Sequence, residues 1–475
     1  MVFNLATTLT ESALDKPDKF VCRTADRDIS YAELDDLTGR FAAALLDRGV
    51  RRGDRVAVQL PNVPEFLVAY YGILKAGCVM VPMNPLFTEP ETAYVLGHSG
   101  ARVHLDDADE VVAMYEGAKY VADVAATDPQ DTAVIVYTSG TTGRAKGAEL
   151  SHFQLYMSCT VASETFGAVP EDVTLAVLPL FHIYGLSSAL NSSVRYGTTM
   201  SLVRRFEIPA VLDAMEKHRV TIALGVPTMY HALLMAEVGD RDLSAFRVAS
   251  CGGAPMPKAL IEGFEQKFGV TVLEGFGMSE TGAAGFVNRP DARRVGSIGL
   301  PLWGVQARIA GAEGRTGPEH VGELLIKGHV VMNGYHDDPA ATSQTLVDGW
   351  LHTGDLAYVD DDGFYYIVDR IKDMIIRGGF NVYPRELEEV LYRHPAIREA
   401  AVVGRPDERL GEEIVAVIVL KPDAGEVSAE QVIEFCRASL TGYKLPREIR
   451  FVDQLPRNAS GKVLKRELRD LREAA

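Results

Sequence analysis

Short apolar runs alternate with mixed polar and apolar stretches through the first half of this chain. Arg55-Val56-Ala57-Val58-Gln59-Leu60 reads as a strand, residues 64–77 as a helix, and Val79-Met80-Val81-Pro82 as a second strand. Upstream, Ser30 and Glu33 stand at capping-box spacing, so a helix is expected to start there. The alternation returns at Thr221-Ile222-Ala223-Leu224 and Val270-Thr271-Val272-Leu273, the pattern of doubly wound sheets. Between residues 299 and 367 the chain becomes strand-rich with glycine turns, as at 322–328 and 358–368. After Arg370 a compact α+β module is expected. It has a helix over 382–391, strands near Val402 and at 414–420, a helix at 428–439 capped by Ser428, and a charged terminal helix. The fold class expected is α/β: a large N-terminal domain over 1–370 with doubly wound sheets and a β-rich subdomain, then a small C-terminal domain over 371–475.

At 475 residues the chain exceeds one ordinary domain, and 47% apolar with 24% charged residues is a soluble globular composition. A formal charge of −17 disfavours nucleic acid or anionic membrane as a partner, so an anionic nucleotide would need a local site. Five widely spaced cysteines (22, 78, 159, 251 and 436) with no Cys-x-x-Cys suit the cytoplasm and argue against zinc or a disulfide framework. The N-terminus lacks the features of a signal peptide. The longest uncharged run, 173–194, could span a bilayer by length, but it contains Pro179, His182, Asn191 and several serines. It is expected to be buried core and loop, with no transmembrane segment.

The densest chemistry is Tyr137-Thr138-Ser139-Gly140-Thr141-Thr142-Gly143-Arg144-Ala145-Lys146-Gly147, directly after an apolar strand. Glycines let backbone amides turn toward a polyphosphate, hydroxyls donate to its oxygens, and a lysine supplies charge. The competing reading is a polar turn. A P-loop is excluded because Lys146 follows Gly143 by three residues and precedes Gly147. A Rossmann glycine pattern at Gly275-Phe276-Gly277 fails because position 280 is glutamate.

That second segment, Gly275 to Thr281, offers Phe276 for stacking on a base and Glu280 for Mg²⁺, although it could be an ordinary turn. Leu351-His352-Thr353-Gly354-Asp355 places an acid on a glycine turn, able to accept from two ribose hydroxyls or to form an Asx turn. Asp369-Arg370-Ile371-Lys372-Asp373 before Gly378-Gly379 would by itself be a solvated linker. Pro456 to Lys462 would be a surface loop, and His182 a core histidine.

Together and in this order, these segments resemble the adenylate-forming superfamily of acyl-CoA synthetases, adenylation domains and luciferases, from about Ile29 to Glu467. Asp369 to Pro384 is most similar to the fatty-acid and coumarate-type CoA ligases. The resemblance implies an enzyme using ATP, Mg²⁺ and coenzyme A in two steps. A carboxylate first attacks the α-phosphate of ATP, giving acyl-AMP and pyrophosphate; a pantetheine thiol then displaces AMP. It assigns Thr138, Ser139, Gly140, Thr141, Thr142 and Lys146 to the triphosphate, Glu280 to Mg²⁺ and Ser279 to the α-phosphate. Gly252, Gly253, Ala254, Phe276 and Gly277 would surround adenine, with Asp355 and Arg370 on ribose. Lys462 would be the catalytic lysine and Lys372 the hinge of a mobile small domain. Gly378-Gly379 would line the pantetheine tunnel, and His182 would be its gate.

Departures from related patterns narrow the acid. Phe181-His182 lacks the aspartate that pairs with an amino-acid ammonium, and Ala232 stands where malonate-activating relatives carry arginine. The stretches 229–233 and 282–286 are small and apolar, which favours a medium or long acyl chain; a flat aryl acid and an acyl-carrier protein as acceptor stay open. Residues 101–131 are shorter than the resemblance leads one to expect, leaving the local strand count open. Pro456 to Lys462 also fits the context in which related ligases are acetylated on the lysine.

Overall fold

In the computed structural model, Ser30 is extended and its hydroxyl accepts the Glu33 amide at 3.1 Å, so the helix Tyr31–Asp47 begins where the sequence places it. The Glu33 side chain does not complete the box; it pairs with Arg27 at 2.5 Å. The structure describes residues 2–120, 123–138, 144–422, 424–457 and 463–470. Packing divides it into two units. One comprises Met1–Met256, Leu260–Ala307 and Ile326–Leu351, and the other Pro257–Ala259, Arg308–Leu325 and His352–Ala475.

Two sheets organise the first unit. Strand Arg55–Val58, helix Pro64–Lys75 and strand Val79–Pro82 make a β-α-β unit with parallel strands, Arg55 opposite Val79. They sit in a six-stranded sheet ordered Gly334–Tyr335, Lys146–Ser151, Thr132–Thr138, Val79–Pro82, Arg55–Val58, Val103–Leu105. The short 101–131 region thus supplies one edge strand, parallel to Arg55–Val58. In the nine-stranded sheet, Thr271–Phe276, Val248–Cys251, Ile222–Gly225, Val173–Ala176, Thr199–Leu202 and Phe20–Arg23 run parallel in that order. Their near-continuous apolar text follows from burial on both faces. Tyr230 and Phe264 meet edge to face at 4.9 Å in the core beneath it.

The uncharged run at 173–194 becomes a buried strand followed by a π-helical stretch, Tyr184–Asn191. No helix among the described residues is long and apolar enough to cross a membrane. All five cysteines are free and buried.

A further sheet runs Val305–Ile309, Gly322–Gly328, Trp350–Val359, Leu346–Val347, with Tyr365–Arg370 paired to Trp350–Val359. Here the structure corrects one expectation: Asp355 lies inside a continuous ten-residue strand, not on a turn. Gly354 adopts φ +71° within it and the ladder continues, Asp355 opposite Arg370. The last sheet is ordered Phe380–Val382, Ile375–Arg377, Gly411–Leu420, Ile397–Asp407, with Glu448–Phe451 parallel to Gly411–Leu420. Helices Pro384–Leu391 and Ala429–Arg437 bury Leu387, Val432 and Cys436 in its core. The first of these helices starts two residues later than 382, because Val382 completes a strand and Pro384 suits the first helical position.

His152, 1% exposed, accepts the Leu5 amide on Nδ1 at 3.1 Å, and burial holds its pKa down at about 4. Stability from this neutral ring is complete above its ordinary pKa of 6.5 and is lost as pH falls toward 4. A shift of that size corresponds to about 3 kcal/mol. The urea midpoint is expected to drop between neutral and mildly acidic pH, and to drop less in His152→Gln; equal slopes in both proteins would refute this.

Candidate active site

Strands Thr132–Thr138 and Lys146–Ser151 are antiparallel, with Thr138 opposite Lys146, so the hydroxyl-rich segment is the connection of a β-hairpin. A P-loop, by contrast, joins a strand to a helix. Ser139, Gly140, Thr141 and Thr142 lie outside the described residues. Both stems of the connection are tied to helix Glu89–Ser99. Tyr94 donates to the Ala145 carbonyl at 2.8 Å, and His98 Nδ1 lies 2.8 Å from the Tyr137 hydroxyl. Burial raises the Tyr137 phenol, which keeps it a neutral hydrogen-bonding group.

On the far edge of Lys146–Ser151, strand Gly334–Tyr335 pairs antiparallel, with Tyr335 opposite Ala148. The Tyr335 hydroxyl donates to Glu280 Oε1 at 2.8 Å, and Lys146 Nζ stands over the same ring, 5.2 Å from its centroid. Next along the chain, His336 Nδ1 meets Glu149 Oε1 at 2.6 Å. The folded chain therefore brings Lys146 and Glu280 to one tyrosine, although 134 residues separate them.

Glu280 is 8% exposed and belongs to the 3₁₀ turn Ser279–Thr281, opened by the Met278 amide donating to Thr281 Oγ at 2.8 Å. Gly282, at φ +62°, closes that turn. Gly277 is required sterically: a Cβ there would sit 2.2 Å from the Ala283 carbonyl carbon. Phe276 ends its strand half-buried, its ring 6.0 Å from that of Phe286. Gly252, Gly253 and Ala254 follow strand Val248–Cys251. A Cβ on Gly252 would touch the Tyr184 ring at 3.3 Å, while Gly253, at φ +77°, and Ala254 are exposed. Tyr184 therefore forms a wall beside this expected adenine segment. Its phenol, kept neutral by burial, donates to the Ser250 carbonyl at 3.3 Å. His182 is half-buried, and its Nδ1 accepts the Tyr184 amide at 3.2 Å, which places the proton of a neutral ring on Nε2.

In the second unit, Asp355 is 2% exposed and its Oδ1 meets Arg370 Nε at 2.9 Å, so the two residues expected at ribose form one pair. Thr353 Oγ accepts the Asp355 amide at 3.1 Å, and Glu323 accepts the Gly354 amide at 2.9 Å. Gly378 and Gly379, at φ +58° and +85°, form the two-residue turn between Ile375–Arg377 and Phe380–Val382. A turn with both central residues left-handed is built for glycine, so the hairpin explains the pair without a ligand. Lys372 is exposed just before that hairpin, and its carbonyl lies 3.4 Å from Arg469 Nη2.

Lys462 lies outside the described residues, but its flanks do not: Arg457 and Val463 form an isolated β-bridge, and the Leu464 amide donates to the Pro456 carbonyl at 2.9 Å. Immediately beyond, Lys465 Nζ meets Glu388 Oε1 at 2.8 Å. Burial opposes the Lys465 charge, but Glu388 and Asp369 outweigh it and hold the ammonium above its usual range. Asp369, 7% exposed, is raised by that burial and accepts the Arg370 amide at 2.7 Å and the Arg385 amide at 3.0 Å. Arg469 pairs with Asp373 at 2.8 Å. Tyr335, Tyr184, Tyr94, His98, Glu388 and Lys465 escape a reading of the sequence, because each stands alone in its segment and gains meaning only from a distant partner.

Residues 9–336 match the family of AMP-binding enzymes, and residues 386–462 match the AMP-binding enzyme C-terminal domain. The chain is 38% identical to a feruloyl-CoA synthase of Amycolatopsis over 460 residues, covering 93% of each protein. It is 34% identical to a long-chain-fatty-acid–CoA ligase of Mycobacterium tuberculosis, covering 98% of each. ATP-bound MatB from Rhodopseudomonas palustris superposes with a TM-score of 0.92 at 34% identity, over 99% of both chains. This chain belongs to the AMP-binding enzyme family, among its ATP-dependent, AMP-forming acid–CoA ligases.

Proposed function

We propose that this ligase activates a medium- or long-chain fatty acid and passes it to coenzyme A. One observation carries the choice of acid: the stretches 229–233 and 282–286 contain no Asp, Glu, Lys or Arg. Ala284 and Phe286 are buried there, and Met229 packs on the core beneath the nine-stranded sheet. Each methylene placed against such a surface contributes about 0.8 kcal/mol. A second reading, a flat aryl acid, is favoured by the 38% identity to a feruloyl-CoA synthase.

Ligases of this family use ATP, Mg²⁺ and coenzyme A. Among the described residues no group of three or more His, Cys, Asp or Glu could hold a metal. A single carboxylate, Glu280, fits a Mg²⁺ whose other ligands are phosphate and water. There the ion would neutralise phosphate charge. In this reading Thr138, Ser139, Gly140, Thr141, Thr142 and Lys146 hold the triphosphate, and Ser279 meets the α-phosphate. Gly252, Gly253, Ala254, Phe276 and Gly277 surround adenine, with Asp355 and Arg370 on ribose.

Carboxylate and triphosphate repel, so the first step needs charge neutralisation and in-line positioning. Lys462 bridges the carboxylate and α-phosphate oxygens while the carboxylate oxygen bonds to phosphorus and pyrophosphate leaves. The thiol of the acceptor then attacks the acyl carbon, and AMP departs. Turning about Lys372, between domains 1–370 and 371–475, would withdraw Lys462 and present Gly378-Gly379 to pantetheine, with His182 as gate. An acyl-carrier protein is the alternative acceptor. Acetylation of Lys462 would remove its charge and silence the first step. Five free, buried cysteines support a cytoplasmic setting.

AMP release with coenzyme A, scored across acids from acetate to long-chain and hydroxycinnamic types, tests the choice. kcat/KM is expected to rise about fourfold per methylene until the pocket is full. An optimum on hydroxycinnamic acids would select the second reading, and one on amino acids or dicarboxylates would refute both.

A further inference from the structure

Tyr335 takes part in no step described above, yet it touches both Lys146 and Glu280. Were the two opposite charges to pair, the lysine would be unavailable to phosphate and the carboxylate unavailable to a cation. Here each has a separate place on one ring. The ammonium rests over the π face, and the carboxylate takes the hydroxyl proton through Oε1. Among the described residues Lys146 has no carboxylate partner within ion-pair distance.

The ring has little freedom to leave. Its backbone is paired to Ala148, its amide donates to Thr342 Oγ at 2.8 Å, and the following His336 amide donates to the Gly147 carbonyl at 2.8 Å. On the Glu280 side, the backbone carbonyl is held by the Met332 amide at 2.8 Å. Glu280 is therefore held at its backbone carbonyl and at Oε1.

We infer that Tyr335 is a positioning residue which keeps Lys146 and Glu280 apart and orients Glu280 so that Oε2 faces a Mg²⁺ carried by the nucleotide. The inference rests on the roles proposed above for Lys146 and Glu280. It predicts two separable effects. Tyr335→Phe keeps the ring under Lys146 but removes the donor to Glu280, so the Mg²⁺ requirement should change while metal-free nucleotide binding does not. Tyr335→Leu removes the ring as well and lets Lys146 close onto Glu280, so metal-free binding should also weaken.

ATP binding to the full-length protein without acid, measured by calorimetry in EDTA and over a Mg²⁺ titration, reads both effects without turnover. Tyr335→Phe is expected to bind ATP in EDTA as the parent does and to need about tenfold more Mg²⁺ for half-maximal enhancement, the order expected for one hydrogen bond to a charged group. Tyr335→Leu is expected to lose about tenfold in EDTA as well. Melting temperatures identify any variant that is merely unfolded, and the isosteric Tyr335→Phe decides the metal arm even if Tyr335→Leu fails to fold. Parent protein that binds ATP with Mg²⁺, alongside a Tyr335→Phe variant of unchanged Mg²⁺ dependence, overturns the inference alone. Parent protein that binds no ATP overturns the functional reading and this inference with it.

Discussion

Lys462→Ala is expected to cut acid-dependent acyl-AMP formation by at least about a hundredfold, the usual scale for removing one charge-stabilising donor from a reacting centre. The same variant should still convert supplied acyl-AMP and coenzyme A to thioester at close to the parent rate. The asymmetry follows from the chemistry: only the first step joins two anions, whereas the second expels AMP from an acyl carbon. The tether of this lysine also favours a step-specific effect. A β-bridge between Arg457 and Val463 closes the segment that carries it, and Lys462 is not one of the two bridge residues. Pyrophosphate exchange and thioester formation, measured separately, check the prediction. Equal loss in both would show that Lys462 supports the fold or both steps, and the assigned role would fail.

Lys465→Met is expected to destabilise the second unit by roughly 1–3 kcal/mol, because the ion pair it breaks is half-buried. The ammonium meets Glu388 at 2.8 Å, beside the buried Asp369, so its removal leaves two carboxylates facing each other with no cation between them. Adding Glu388→Gln should restore most of the loss, because the amide oxygen can still accept the Val402 amide that Glu388 accepts at 2.8 Å. Urea unfolding of the two single variants and the double variant provides the cycle. Simple additivity of the two losses would refute the pairing. Lys465 stands three residues past Lys462, so Lys465→Met should also slow adenylation more than thioester formation.

Local chemistry made much of this protein legible. Ser30 and Ser428 act through neighbours within a few residues, and helix Tyr31–Asp47 and helix Ala429–Arg437 formed at those positions. The parallel strands were visible because burial on both faces writes continuous apolar text. Gly354 before Asp355 suggests a turn, whereas a sheet with partners on both sides carries one left-handed glycine without interruption.

Residue types and their order along the chain determined the family and the parallel α/β architecture, and they supply the groups proposed here for phosphate, metal and ribose. Only the tertiary structure decided that the hydroxyl-rich segment joins two antiparallel strands, that Tyr94 and His98 tie down its stems, and that Tyr335 meets Lys146 and Glu280 at once. The physical reason is range. Caps and turns are settled by dihedral preferences within a few residues, but contacts such as Tyr335 to Glu280 exist only once sheet register has brought remote segments within hydrogen-bonding distance.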